Sequence, residues 1–227
     1  MQITFYGHSC VGVSCGADMH FIIDPCISLI PQASHINLND LPCNYVLVSH
    51  GHGDHVADVP NLMNRGQVTL ISNHEIARHY EQAGYEEVIG MNIGGSIQLN
   101  DVDLYMTSAL HSSSFDNGDY AGNPAGFVIS YQGKCCYFAG DTGLSTEMEL
   151  LGKLFDIDCA MLPIGGRYTM DYKTAYHASN LLKTKKVIGI HYGAFESLRI
   201  DENAAKQFFE ERNNELTLLT IGETIEL

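Results

Sequence analysis

Apolar residues fall in short runs along this chain, and the period of those runs changes from one region to the next. The first stretch reads as strands. Ile3–Tyr6, Cys10–Ser14 and Phe21–Ile23 are rich in β-branched or aromatic residues and are bounded by Gly, Asp or Pro. Tyr45–Ser49 is a continuous apolar run, the mark of a strand buried on both faces. Helical spacing follows near Val56–Asn64 and His74–Ala83, with a strand at Val68–Ser72 between them. Gly66 and Gly84 stand where helix C-caps belong. The middle returns to a period of two. Ser96–Leu99, Val102–Thr107, Gly126–Tyr131 and Lys134–Ala139 read as a meander, the last two joined by a tight turn at Gln132-Gly133. The end alternates again: helix near Thr146–Phe155, strand Cys159–Leu162, helix near Lys173–Lys183, strand Val187–Ile190, helix near Glu202–Asn213, strand Leu216–Thr220. This succession fits two sheets packed face to face with helices outside, an α/β (α+β) architecture. There is no linker, repeat or low-complexity tract, so residues 1–227 read as one domain.

Composition narrows the class. Apolar residues make up 45% and charged residues 17%, which excludes a disordered chain. No apolar run approaches the roughly 18 residues of a membrane span. The start, Met1-Gln-Ile-Thr-Phe-Tyr-Gly, lacks the basic and apolar regions of a signal peptide, and a cytoplasmic location is expected. Lys and Arg number 12 against 27 Asp and Glu, a net charge of −15. Nucleic-acid binding draws its affinity from cations that displace counterions, so no nucleic-acid partner is expected, and no membrane. The densest basic run, Lys183-Thr-Lys185-Lys186, reads as cations closing a helix. The seven cysteines include no Cys-x-x-Cys pair and read as reduced, mostly buried thiols. Cys135 and Cys136 are adjacent in a predicted strand and should face opposite sides.

The chemistry is concentrated in His50-Gly-His52-Gly-Asp54-His55, directly after the strand Tyr45–Ser49. In an extended loop, residues two apart point to the same side, so His50 and His52 form a metal clamp. Asp54 and His55 turn into the next helix and can face a second ion. At the chain's own His and Asp frequencies this pattern arises by chance about 0.002 times per chain of this length. Three further candidates each follow a strand-like segment: His111 in Ala-Leu-His-Ser-Ser-Ser, Asp141 in Gly-Asp-Thr-Gly and His191 in Ile-His-Tyr. Strand ends are where a rigid sheet holds functional side chains.

These residues resemble the metallo-β-lactamase superfamily. Tyr6-Gly-His8-Ser, Ile23-Asp24-Pro25, Ala109-Leu-His111-Ser-Ser-Ser, Gly122-Asn-Pro-Ala-Gly-Phe, Ala139-Gly-Asp141-Thr-Gly, the segment from Leu162 to Met170 and His191-Tyr resemble one branch of it. That branch comprises metal-dependent hydrolases akin to the ascorbate-6-phosphate lactonases, and the likeness runs from Gln2 to about Leu219. The resemblance implies a four-layer αββα sandwich with the site at the sheet edges. It implies one metal on His50, His52 and His111, a second on Asp54, His55 and His191, and Asp141 bridging. Zinc is the expected metal; manganese and iron occupy such cradles too. His177 falls where a small residue is expected and reads as a surface histidine.

The expected function is a hydrolase that acts on a small ester, lactone or phosphoester through a dinuclear metal-activated hydroxide. No Ser or Cys sits in a nucleophile-elbow pattern. Asp54 and Asp141 are expected to be essential to turnover. His8 reads either as a substrate contact or proton donor, or as a turn histidine. Asp24 reads as a hydrogen-bonding support for the metal loop, or as an Asp-Pro turn. Arg167, Tyr168 and the polar segment Ser112–Pro124 are candidates for shaping the pocket. The alternatives are an iron-dependent oxidoreductase on the same cradle, such as a persulfide dioxygenase, an RNA or DNA phosphodiesterase, and a non-catalytic scaffold. His52 stands where flavodiiron oxidases carry Glu, and the −15 charge opposes a phosphodiesterase. The expected partner is a small-molecule substrate; a homo-oligomer is compatible with the chain, but no feature selects its order.

Overall fold

The first half of the chain builds one sheet and the second half the other, except that the last strand returns to the edge of the first sheet. In the computed structural model, which describes residues 1–227, the first half supplies β1 (Gln2–Gly7), β2 (Cys10–Ser14), β3 (His20–Ile23), β4 (Tyr45–Val48), β5 (Thr69–Asn73) and β6 (Val88–Met91). Helices α1 (Gly53–Val56) and α2 (Val59–Met63) follow β4, and α3 (His74–Gln82) follows β5. The second half supplies β7 (Ser96–Leu99), β8 (Val102–Ser108), β9 (Ala125–Tyr131), β10 (Lys134–Phe138), β11 (Cys159–Pro163), β12 (Lys186–Ile190), β13 (Glu215–Thr217) and β14 (Thr224–Glu226). Helices α4 (Glu147–Leu154), α5 (Tyr172–Leu181) and α6 (Glu202–Glu210) stand between these strands.

The sheets have seven strands each, in the orders β14-β1-β2-β3-β4-β5-β6 and β13-β12-β11-β10-β9-β8-β7. Each is antiparallel over one part and parallel over the other. Pairing is parallel from β3 to β6 and from β10 to β13. Parallel neighbours need a crossover: short 3-10 turns join β3 to β4, and α1 to α3 and α4 to α6 supply the others on the outer faces.

Three apolar layers result. Phe21, Ile23, Leu47 and Ile71 of the first sheet meet Leu104, Phe127, Ile129 and Phe138 of the second. Leu62, Ile76 and Tyr80 cover the outside of the first sheet on Ile22, Val46 and Leu70. Leu151, Ala175, Ala178 and Phe209 cover the second on Tyr137, Ala160 and Val187. Helix, sheet, sheet and helix make an αββα sandwich. Burying each large side chain contributes roughly 1.5–3 kcal/mol, so the fold has a core independent of any metal. The strand alternation holds at the adjacent cysteines: Cys136 lies in the inner layer and Cys135 in the outer one. All seven cysteines are free thiols. No helix is long and apolar enough to cross a membrane.

The structure departs from the sequence pattern in four places. The helix expected over Val56–Asn64 is two short helices broken at Ala57-Asp58. Pro60 has no N–H to donate and is tolerated only in the first turn of α2, which therefore starts afresh at Val59. Asp58 at the break donates its N–H to Pro25 O and accepts from Ser28 N. The last predicted strand, Leu216–Thr220, is replaced by Glu215–Thr217, an edge strand paired only with β12. β6 and β14 had no clear signal, because both are short and only partly buried. The Lys183–Lys186 run lies just beyond α5, with Lys183 in the left-handed region and Lys186 opening β12.

Candidate metal centre

Every candidate side chain comes from the same edge of the sandwich. His8 lies in the turn between β1 and β2, Asp24 follows β3, His50 follows β4, and His191 follows β12. His111 and Asp141 each lie three residues past the end of a strand, β8 and β10. Two backbone hydrogen bonds join the sheets here: His191 N–H donates to His8 O at 2.8 Å, and Ala125 N–H to Ser49 O at 2.9 Å. His8, Asp24 and His191 have φ of 54°, 49° and 54°, in the left-handed region that is uncommon for residues with a side chain. Such residues cost about 1–3 kcal/mol each and persist where the surroundings fix them.

The side chains form two groups whose ligand-type atoms lie within 4.8 Å of one another: His50, His52 and His111, and His8, Asp54, His55 and His191. Asp141 stands between them. Its Oδ2 is 2.8 Å from His191 Nε2, 3.5 Å from His55 Nε2 and 3.6 Å from His111 Nε2. The first of these is a close contact; the other two are too long for a hydrogen bond. His50 Nε2 lies 3.0 Å from His52 Nδ1. Ligands of one zinc ion at 2.0–2.2 Å stand about 3–3.6 Å apart, so this spacing matches a shared first coordination sphere.

A buried hydrogen-bond chain fixes which nitrogens face inward. Asp24 is fully buried; its Oδ1 accepts from Ser49 N at 2.7 Å and its Oδ2 from Ser49 Oγ at 2.6 Å. The one hydroxyl hydrogen of Ser49 is thus donated in the bond to Asp24, so the 2.9 Å contact of its Oγ with His50 Nδ1 makes the ring the donor. His55 Nδ1 lies 2.8 Å from Asp24 Oδ2 and donates as well. With Nδ1 donating in both rings, Nε2 is the atom of His50 and of His55 left facing the centre. This is the outer support that metal-bound histidines ordinarily have.

The electrostatics ask for a cation. Buried His55 Nε2 and Asp141 Oδ1 have no hydrogen-bond partner. Burial alone would depress the His55 pKa, but the Asp141 and Asp24 carboxylates outweigh it and hold the ring well above its ordinary value. Burial likewise opposes ionisation of Asp141, and His55 and His191 outweigh it, holding the carboxyl well below the usual range. His50, His52 and His111 are pushed down, chiefly by burial, and are neutral nitrogen donors. Neutral imidazoles on His50, His52 and His111, and carboxylates that hold a positive charge on His55 where a cation could stand instead, fit divalent metal ions.

His8 is placed behind this centre. Its ring is buried at 1% exposure, with Nε2 3.0 Å from Asp54 Oδ2. Burial pushes its pKa down to about 4, so the pair is a neutral imidazole donating to a carboxylate and not an ion pair. Burial would raise the Asp54 pKa, but the His8 hydrogen bond and the His55 charge carry it below the usual carboxylate range. His8 does not line the cleft and touches Asp54, which does.

The centre floors a cleft of about 540 Å³. Tyr168 and Ser112 line it, as do Phe195, Ser197 and Leu198, which no sequence pattern had singled out. Arg167 does not line it; its guanidinium lies 5.2 Å over the Tyr168 ring. Ser113 Oγ, from the polar loop, accepts from Gly51 N at 3.3 Å and donates to Ala121 O at 3.0 Å, bracing the metal loop. His177 is on the exposed face of α5, away from the centre. Ser49 carried no signal of its own, although its place between a strand and the first ligand is where a supporting hydroxyl would stand.

Comparison with known proteins agrees with this geometry. The model of the β-lactamase superfamily domain matches residues 20–192. A metal-dependent hydrolase of Flavobacterium johnsoniae is 41% identical, over 100% of both chains. One from Methylacidiphilum infernorum is 39% identical over 99% of both. Among solved structures, a metallo hydrolase of the archaeon Ignicoccus hospitalis superposes with a TM-score of 0.90 at 35% identity, covering 99% of this chain and 97% of that one.

Proposed function

The chain belongs to the β-lactamase superfamily and is a metal-dependent hydrolase, and from that premise we propose that it works with two divalent ions, zinc by preference, on a small ester, lactone or phosphoester. The observation that carries this reading is the position of Asp141 Oδ2. One carboxylate oxygen lies within 3.6 Å of Nε2 of His111 from one histidine group and of His55 and His191 from the other. His50, His52 and His111 would hold one ion, Asp54, His55 and His191 the other, and Asp141 would be shared.

Bound divalent ions would supply Lewis acidity, polarising a substrate oxygen and acidifying a water. The protein's own part is to present fixed ligands. Asp24 and Ser49 set the His50 and His55 tautomers, and the core holds these rings rigid. Asp54 is kept ionised by His8 and His55, so it serves as an anionic ligand and not as a proton store. The Tyr168 hydroxyl is the one phenol lining the cleft, and it can donate to an oxygen that gains charge during the reaction. A small-molecule substrate suits the cleft's size, and the −15 charge disfavours nucleic acid.

The test is metal analysis of the purified protein after loading with zinc, manganese or iron(II), followed by an ester, lactone and phosphodiester screen. Two equivalents bound and hydrolysis that depends on them are expected. One equivalent at saturation would overturn the dinuclear reading.

A further inference from the structure

We propose that the substrate is an uncharged carboxylic acyl compound, an ester, thioester or lactone carrying an apolar chain or ring, in preference to a phosphoester. This rests on the hydrolytic reading above and narrows it. The metal ligands form the floor of the cleft, and the residues around them decide what else a substrate must carry.

Those walls carry no charge and combine aromatic and aliphatic faces with hydroxyls. Tyr168 and Phe195 line the cleft while remaining 56% and 36% exposed, and buried Leu198 lines it too. Large aromatic side chains left open to water at a cleft mouth recover that cost when something apolar lies against them. The polar groups added by the walls are the hydroxyls of Ser112, Ser197 and Tyr168, which bind neutral oxygens. No Lys or Arg lines the cleft. A phosphate monoester would meet no side-chain cation there, whereas phosphate sites ordinarily place Arg or Lys on the non-reacting oxygens. Arg167 stays outside the lining, with its guanidinium over the Tyr168 ring. Asp116, an exposed carboxylate, lies against Gly53 beside the Asp54 ligand and adds negative charge to that side. The centre therefore supplies all the positive charge the substrate meets, enough for a polarised carbonyl but with nothing left for a second anionic group.

The experiment has two arms on the metal-loaded protein. In the first, calorimetry measures binding of alkyl hydroxamates with chains of two, four and six carbons. In the second, kcat/KM is measured for acyl esters of the same chain lengths and for the phosphate monoester of the same alcohol. Affinity and kcat/KM should both rise with chain length, by at most about fourfold per methylene for full burial. The phosphate monoester should be turned over at least a hundredfold less well than the best ester. Phe195→Ala and Tyr168→Ala, on exposed positions that the fold tolerates, should each flatten the chain-length dependence. Flat hydroxamate binding together with ester turnover, or a preference for the phosphate monoester, would overturn the inference and leave hydrolysis standing. Chain-length-dependent hydroxamate binding with no turnover of any ester would uphold the apolar pocket and overturn the hydrolytic reading.

Discussion

His8 Nε2 lies 3.0 Å from Asp54 Oδ2, across 46 residues of sequence, and the imidazole is buried while the carboxylate side chain is 32% exposed. The pair couples the turn after the first strand to the metal loop. It pins the Asp54 oxygen that stands 3.9 Å from His55 Nε2. His8→Ala should therefore weaken metal retention by about 10–100-fold, the usual effect of losing an outer-sphere partner, and turnover should fall with it. His8→Gln, which keeps an N–H donor, should recover part of the affinity. Metal competition with a chromogenic chelator measures both. Unchanged affinity in His8→Ala would mean that Asp54 needs no anchor.

Asp24 serves three donors at once: Ser49 N, Ser49 Oγ and His55 Nδ1. Asn at this position offers one acceptor oxygen and an amide that cannot accept. Asp24→Asn should release the His55 tautomer and lower metal affinity by about 10–100-fold. It should also lower the melting temperature of the metal-free protein, since a buried donor is left unpaired. Wild-type affinity in this variant would show that the ring is oriented by packing alone.

Gly140, immediately before Asp141, has φ +64°, and an added Cβ would stand 2.4 Å from Ala125 O. The backbone oxygen cannot move aside, because β9 begins there. Gly140→Ala should destabilise the fold by about 1–3 kcal/mol. By shifting Asp141 it should also disturb the shared ligand. Thermal melts with and without metal separate the two effects, and a variant as stable as wild type with full metal content would show that the turn has slack.

Chelation should abolish hydrolysis and leave the fold. The three apolar layers contain none of the candidate metal ligands. Far-ultraviolet circular dichroism after dialysis against a strong chelator should stay close to that of the loaded protein. A collapse of the signal at room temperature would make the metals structural.

Alkaline pH should weaken the fold through its buried thiols. Burial pushes Cys15 up to about 11 and Cys159 up to about 12, from an ordinary 9.0. Both folded-state values exceed the unfolded one. The stability from keeping these thiols neutral is thus whole below pH 9 and is lost as pH rises from about 9 to about 12. Melting temperatures between pH 8 and 11 should fall accordingly, and native thiols should react slowly with a disulfide reagent at pH 8. A flat melting profile over this interval would contradict the prediction.

Much of this molecule was determined locally. Alternation along Lys134–Phe138 placed Cys136 inward and Cys135 outward, because a strand's side chains can point only to alternate faces. The loop His50-Gly-His52-Gly-Asp54-His55 carries its ligands within six positions, so its meaning survives without knowing any neighbour. Other features exist only once strands are set side by side. Asp24 reaches Ser49 and His55 because β3 and β4 pair in parallel, ending at the same edge. His8 reaches Asp54 through the register of the first turn against the metal loop, and Phe195, Ser197 and Leu198 become a cleft wall only because β12 ends beside the centre. Hydrophobic period records how one segment meets the core. Which segments stand next to each other is decided by sheet order, a property of the whole chain, and it was the sheet order that turned scattered polar residues into supports for the metal centre.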